Sequence, residues 1–299
     1  KDNGYNNAVN SEHKFGNPEE KRTPIFKAGY LVEYRTRTFN ARYMSYLYPG
    51  TSDPAIGVQL SRLPISDIFA PQNISRNNGF VIEEGTGVSD AYTGSNLLTA
   101  AYLGGSLPLG KFDLAGGFRI ENNIQKVDAI SGNGPVKVEN TVLAPLPFLN
   151  VSYNLSDRSL VRAAYSRTVN RPEFRELAPF LFYQFEVDAN IVGTPTLRTA
   201  FINNLDIRYE LYPNPGEIFS IGGFYKSFKD PIELYNQITG ESPQFFYANS
   251  PEATSLGVEI EFRKSLASLG VSKFLRNTSI LSLIHISEPT RLRRISYAV

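Results

Sequence analysis

Apolar and charged side chains alternate in segment after segment, and that pattern constrains this chain more than anything else in it. Leu205, Ile207, Tyr209 and Leu211 interleave with Asn204, Asp206, Arg208 and Glu210. Leu256, Val258, Ile260 and Phe262 interleave with Gly257, Glu259, Glu261 and Arg263. Phe112, Leu114, Gly116, Phe118 and Ile120 do so with Asp113, Ala115, Gly117, Arg119 and Glu121. The same holds for Phe26–Arg37, for Leu149–Asn154 and for Leu160–Ser166. Successive side chains of an extended chain point to opposite faces, so each segment reads as a strand with one apolar and one polar face.

A soluble sandwich also alternates, but joins its strands by loops of similar length at both ends. Here short turns (Leu109-Gly110, Ser156-Asp157, Pro213-Asn214-Pro215-Gly216) alternate with long polar stretches. These lie at 47–90, at the segment containing Ser131-Gly132-Asn133-Gly134-Pro135, at 170–198 and at 230–253. The expected fold is all-β: a partial antiparallel up-and-down transmembrane β-barrel of about ten strands, with short periplasmic turns and long extracellular loops. Within 47–90, Ile65–Phe69 is expected to form a helical turn. Tyr34, Tyr165, Tyr209 and Tyr225 fall on the apolar faces and read as girdle residues at the lipid boundary.

Composition excludes several alternatives. No run of about eighteen apolar residues exists, so no transmembrane helix is encoded, which leaves barrels untouched. A net charge of +1 gives no electrostatic reason to expect nucleic acid. Cysteine is absent, removing disulfides and thiolate metal sites. His13 and His285 are the only histidines, with no acidic cluster at ligand spacing beside them and no G-x-S-x-G elbow. The expectation is no enzyme, no metal and no cofactor. Gly105–Lys111 fits G-x-x-x-x-G-K, but Phe112 stands where Ser or Thr is required and a strand follows, so it reads as a turn. The chain opens at Lys1 and its single methionine, Met44, is internal, so it is expected to be a piece of a longer protein.

Two sets of candidate functional residues emerge. Charges on the polar faces (Arg119, Glu121, Arg162, Asp206, Arg208, Glu210, Glu259, Glu261, Arg263) are expected to face the lumen, as charge networks between neighbouring strands or contacts to whatever fills the barrel, with direct solute contact the alternative. Arg167, Arg171, Glu173, Arg175, Tyr183, Phe185 and Glu186 mix donors, acceptors and rings above the barrel mouth and are the candidate solute-binding set. Loops 47–92 and 230–253, the latter with Tyr235, Phe245, Phe246 and Tyr247, are expected to vary with the solute.

Arg158–Phe180, reading RSLVRAAYSRTVNRPEFRELAPF, closely resembles a signature segment of TonB-dependent outer-membrane receptors. Lys27–Tyr34, Leu107–Lys111, Tyr209–Glu217 and Gly257–Lys264 are similar to the same family, and the resemblance spans roughly 24–275. It implies a plug domain inside a barrel of about twenty-two strands, of which this stretch holds fewer than half and no plug. It further implies energy-coupled import of a scarce solute (siderophore, cobalamin, glycan or peptide) across the outer membrane of a Gram-negative bacterium. The implied partners are outer-membrane lipid, the solute, and a TonB-type energy-transducing complex acting through the plug. A passive or structural barrel, and a secreted all-β glycan-binding or hydrolytic protein, are the alternatives. The final LSLIHISEPTRLRRISYAV of 281–299 resembles the conceptual translation of a sequencing-library adapter, so residues 1–280 are expected to be barrel and 281–299 not native. Its other reading is a basic tail carrying Arg291, Arg293 and Arg294.

Overall fold

The computed structural model describes residues 1–16, 22–49, 53–77, 79–184, 186, 189–239, 242–266 and 278–291. In chain order its elements are β1 (Asp2–Lys14), β2 (Ile25–Asn40), β3 (Met44–Leu47), α1 (Pro54–Leu60), α2 (Ile65–Ile68), β4 (Val81–Glu84), β5 (Ala91–Leu109) and β6 (Phe112–Ser131). There follow β7 (Gly134–Ser156), β8 (Ser159–Asn170), α3 (Phe174–Leu177), β9 (Leu181–Gln184), β10 (Ala189–Val192) and β11 (Ala200–Leu211). The last are β12 (Ile218–Lys229), β13 (Ile232–Thr239), β14 (Ser242–Asn249), β15 (Glu252–Ser265) and β16 (Ser279–Arg291).

Ten strands form one sheet in the order β1-β2-β5-β6-β7-β8-β11-β12-β15-β16. Every neighbour is antiparallel, so the sheet is an up-and-down meander. Its outer strands are β1 and β16, which do not pair with each other, so the wall is partial. At one end the connections at 110–111, 157–158 and 212–217 are short and those at 15–24 and 266–278 are longer, whereas at the other end those at 41–90, 171–199 and 230–251 are long and carry their own elements. Short periplasmic turns and long extracellular loops set the orientation.

The polar stretch around 131–135 is not a loop. β6 and β7 stay paired from Phe112↔Tyr153 up to Ser131↔Gly134, and the hairpin closes on Gly132 and Asn133 alone. Alternation persists through Glu121, Asn123, Gln125 and Val127, all buried on one face. A spanning strand needs about ten residues, so this hairpin of 20- and 23-residue strands stands well clear of the membrane. The other loops also hold regular structure. β3 pairs with β4, α2 forms at the expected helical turn, and β13–β14 is a hairpin. The Asp53 carboxylate accepts from Ala55 N at 2.9 Å and starts α1, which hydrophobic periodicity alone does not reveal.

The charged face is the inner one. There Tyr92, Val127, Val138, Phe174, Leu177, Ala178, Phe180 and Leu197 form a buried cluster between the wall and the 171–199 loop. On the outer face Leu205, Ile207, Ile221, Leu256 and Val258 stay exposed, as lipid-facing side chains do. Tyr34, Tyr165 and Tyr225 are exposed among them. β16 breaks the rule: Leu281 and Leu283 sit opposite Arg263 and Glu261, while Ile284 and Ile286 sit opposite Ile260 and Val258. Its inner face therefore mixes two leucines with Ser279, His285 and Ser287. Arg293 and Arg294 lie outside the described residues.

Candidate functional site

The loop between β8 and β11 defines the site, because it turns inward where β8 ends. Pro172 has no N–H to extend a ladder, and the residue before a proline is held extended. The next turn, α3, carries Phe174 and Leu177 on one side, and both are fully buried against the wall. Burying such side chains contributes roughly 1.5–3 kcal/mol each. Gly94 of β5 makes room for the Phe174 ring, since a Cβ there would lie 2.6 Å from it. Gly193 likewise lets β10 pass the carbonyl of Ala178, where a Cβ would lie 2.0 Å away.

Polar contacts fasten both ends of the loop. At its start the Arg171 guanidinium pairs with Glu121 of β6, whose other oxygen accepts from Arg119 Nε at 2.6 Å. Gln125 donates to Pro172 O at 2.8 Å. At its end Asn140 donates to Leu197 O at 3.2 Å, and Arg198 pairs with Asp230. Asn249 accepts from Arg198 N at 2.8 Å and donates to Arg198 O and Asp230 O. The loop then joins its neighbour outright. β10 pairs antiparallel with β9 and parallel with β14, so two loops share one four-stranded sheet.

Within this frame the solute-binding candidates scatter. Arg171 is committed to the wall through Glu121. The Glu173 N–H donates to Glu176 Oε2 at 2.8 Å, starting α3. Burial, and then the nearby Glu173 charge, raise the Glu176 carboxyl above the usual glutamate range. Arg175 is exposed and lies 4.9 Å above the Phe182 ring. Tyr183 sits opposite Asn190 in the loop sheet, and exposed Glu186 accepts a long 3.5 Å bond from Gln184. Phe185 lies outside the described residues. Arg167 is elsewhere: alternation puts it on the face of Tyr165, opposite Arg162, with its guanidinium 4.5 Å over Phe201.

The charges expected to face the lumen fall on one face of the sheet, and several pair across strands. Arg162 meets Glu210 at 3.2 Å, and Tyr212 donates to Glu210 at 2.7 Å. Arg208 reaches Glu261 at 3.7 Å, and Glu259 contacts His285 at 2.9 Å. Asp206 borders a cavity with Arg162, Arg208, Glu210 and Glu259, and Arg263 lines a groove at the periplasmic turn with Arg158 and Glu217. Below the folded-in loop, a cavity of about 730 Å³ opens between Lys14, Arg22, Asp113, Asn150, Ser152 and Arg162. Sequence reasoning overlooked the fasteners Gln125, Asn140 and Asn249. Their signal was an uncharged amide on the inner face of a strand (Gln125, Asn140) or at a strand's end (Asn249).

An ordered antiparallel meander, apolar outside and charged inside, whose element-bearing loops all lie at one end, is the wall of a membrane β-barrel. The chain belongs to the Outer membrane protein beta-barrel family, whose profile matches residues 2–286, and is a protein of the Gram-negative outer membrane. Among solved structures, it is similar to the ferric citrate transporter FecA at a TM-score of 0.55 and 16% identity, over 96% of this chain and 36% of that one. It is also similar to the ferric-catecholate import receptor Fiu of E. coli K12, at a TM-score of 0.53 and 14% identity, over 89% of this chain and 36% of that one. The chain therefore spans about a third of each. No curated protein matches it. Both structural relatives are named for transport; what this chain shares with them is the β-barrel fold.

Proposed function

We propose that this chain is part of the wall of an energy-coupled receptor that binds a scarce solute outside and imports it. In this reading a TonB-type complex in the periplasm pulls on a plug seated against the inner face. The observation that carries it is the division of that face. Its upper part is closed by the fastened 171–199 loop, while its lower part is a cavity of about 730 Å³ whose mixed lining sets Lys14, Arg22, Asp113, Asn150 and Arg162 beside Leu107, Pro108 and Leu114. A domain seated on charges and amides is held by many individually weak, water-exchangeable contacts. Such a seat can be pulled free, whereas an apolar one would hold fast. Solute contact is assigned to the exposed part of the candidate set, Glu173, Arg175, Tyr183 and Glu186, with Phe185 between them in sequence and Arg171 holding the loop in place. Siderophore, cobalamin, glycan and peptide are the solute classes.

The test is uptake of a panel of labelled solutes by cells carrying the whole gene, with and without their energy-transducing complex. Energy coupling predicts that at least one solute accumulates only when the complex is present. Entry that is unchanged in its absence would favour the passive barrel and sink this reading.

A further inference from the structure

Arg167 stands where a lipid-facing strand should be apolar, and its surroundings indicate why. On the outer face, Tyr165, Leu205, Tyr225 and Leu256 form one register row across β8, β11, β12 and β15. One step towards the extracellular loops, the same four strands present Arg167, Asn203, Ser227 and Thr254. At a strand spacing of about 4.8 Å, this polar row is about 14 Å long. It lies directly above Tyr165 and Tyr225, which read as lipid-boundary residues, and Arg167 is three residues below the loop. The row is thus at the headgroup level of the outer leaflet.

A cation on the lipid face is tolerated at that depth and disfavoured deeper. Arg167 has no carboxylate or other hydrogen-bond partner among the described residues, and its Nε is buried without one. The Phe201 ring, one row nearer the loops, lies 4.5 Å from the guanidinium. Tyr165 donates to Asn203 Oδ1 at 3.1 Å, which leaves the Asn203 amide N–H groups available as donors. In the next row up, Lys229 adds a second cation, with Glu252 opposite it. A planar guanidinium with spare N–H groups, beside an amide and a hydroxyl, suits a phosphate.

We propose that Arg167, Asn203 and Ser227 bind the phosphate of an outer-leaflet glycolipid, independently of solute transport. The test is native mass spectrometry of the whole receptor, extracted in detergent and supplied with diphosphoryl lipid A or its dephosphorylated form. Wild type should retain the phosphorylated form preferentially. Arg167→Gln should lose about tenfold or more of that retention, and Arg167→Lys should recover part of it. Ser227→Lys should increase retention, and it carries the test if Arg167→Gln fails to insert. Equal retention by Arg167→Gln, equal retention of dephosphorylated lipid, or no gain with Ser227→Lys would overturn the proposal. Displacement by millimolar inorganic phosphate would instead assign the site to a soluble anion and overturn it too.

Discussion

Gly94 decides whether the loop can enter the barrel at all, because the Phe174 ring occupies the space a side chain would take. Gly94→Val should therefore expel α3 while leaving the lipid-facing strands in place. The expected result is rapid trypsin cleavage after Arg175 in a receptor that still resists heat in detergent. Glu121→Gln tests the polar fastener separately. It leaves Arg171 without its carboxylate, weakening docking by about 1.5–3 kcal/mol and raising tryptic cleavage after Arg175. Glu121 and Arg171 were both legible as charges. Their pairing was not, because 50 residues separate them and only the inward turn at Pro172 brings them together.

Two loop carboxylates should respond to pH in opposite directions. Arg42, and then Thr86, hold Glu84 down to about 2 from its ordinary 4.5. Its contribution is complete above the ordinary value and is lost as the pH falls from there towards 2. Glu176 is raised, so docking of α3 weakens as the pH climbs through the ordinary value towards the folded one. Glu176→Gln keeps an acceptor for the Glu173 N–H and removes the buried charge. It should slow loop proteolysis at neutral pH and make no difference once wild-type Glu176 is protonated. Equal cleavage of both proteins at neutral pH would refute the assignment.

Among the elements, the strands were legible and the loops were not, for one reason. Strand alternation is written locally, as in Leu205–Leu211, whereas β9, β10 and β14 exist because two loops meet. Leu181–Gln184 has no period-two signal strong enough to stand alone, and its ladder comes from Ala189–Val192. The β6–β7 hairpin was misjudged because Ser131–Pro135 looks like a loop when its flanks are ignored. Read with Asn123, Gln125, Val138 and Asn140, it is only the tip of a continuous ladder. An epitope inserted between Gly132 and Asn133 should be reached by antibody on intact cells. The same epitope between Gly110 and Lys111, at the other end of β6, should be reached only after the outer membrane is opened. Reversed labelling would invert the orientation of every strand.

For the molecule as a whole, the rule that inner faces are charged and outer faces apolar holds on the central strands and fails on β16. Glu259, Glu261 and Arg263 present a charged row, yet two of their partners across the ladder are Leu283 and Leu281. Backbone pairing does not discriminate here, because any extended segment satisfies the N–H and C=O groups of β15. Side chains do discriminate: a lumen strand beside that row should offer acceptors, donors or opposite charges, as β11 offers Arg208 to Glu261. We therefore propose that 281–299 does not belong to the native barrel, in line with its likeness to an adapter translation. Sequencing the parental DNA across this point should yield a different strand after Ile280. Polar residues are expected where Leu281 and Leu283 stand, and apolar ones where the neighbouring outward positions fall. Recovery of LSLIHISEPTR from genomic DNA would refute this. The wall would then carry an apolar inner strip beside Glu261 and Arg263, a surface that only an apolar neighbour could cover.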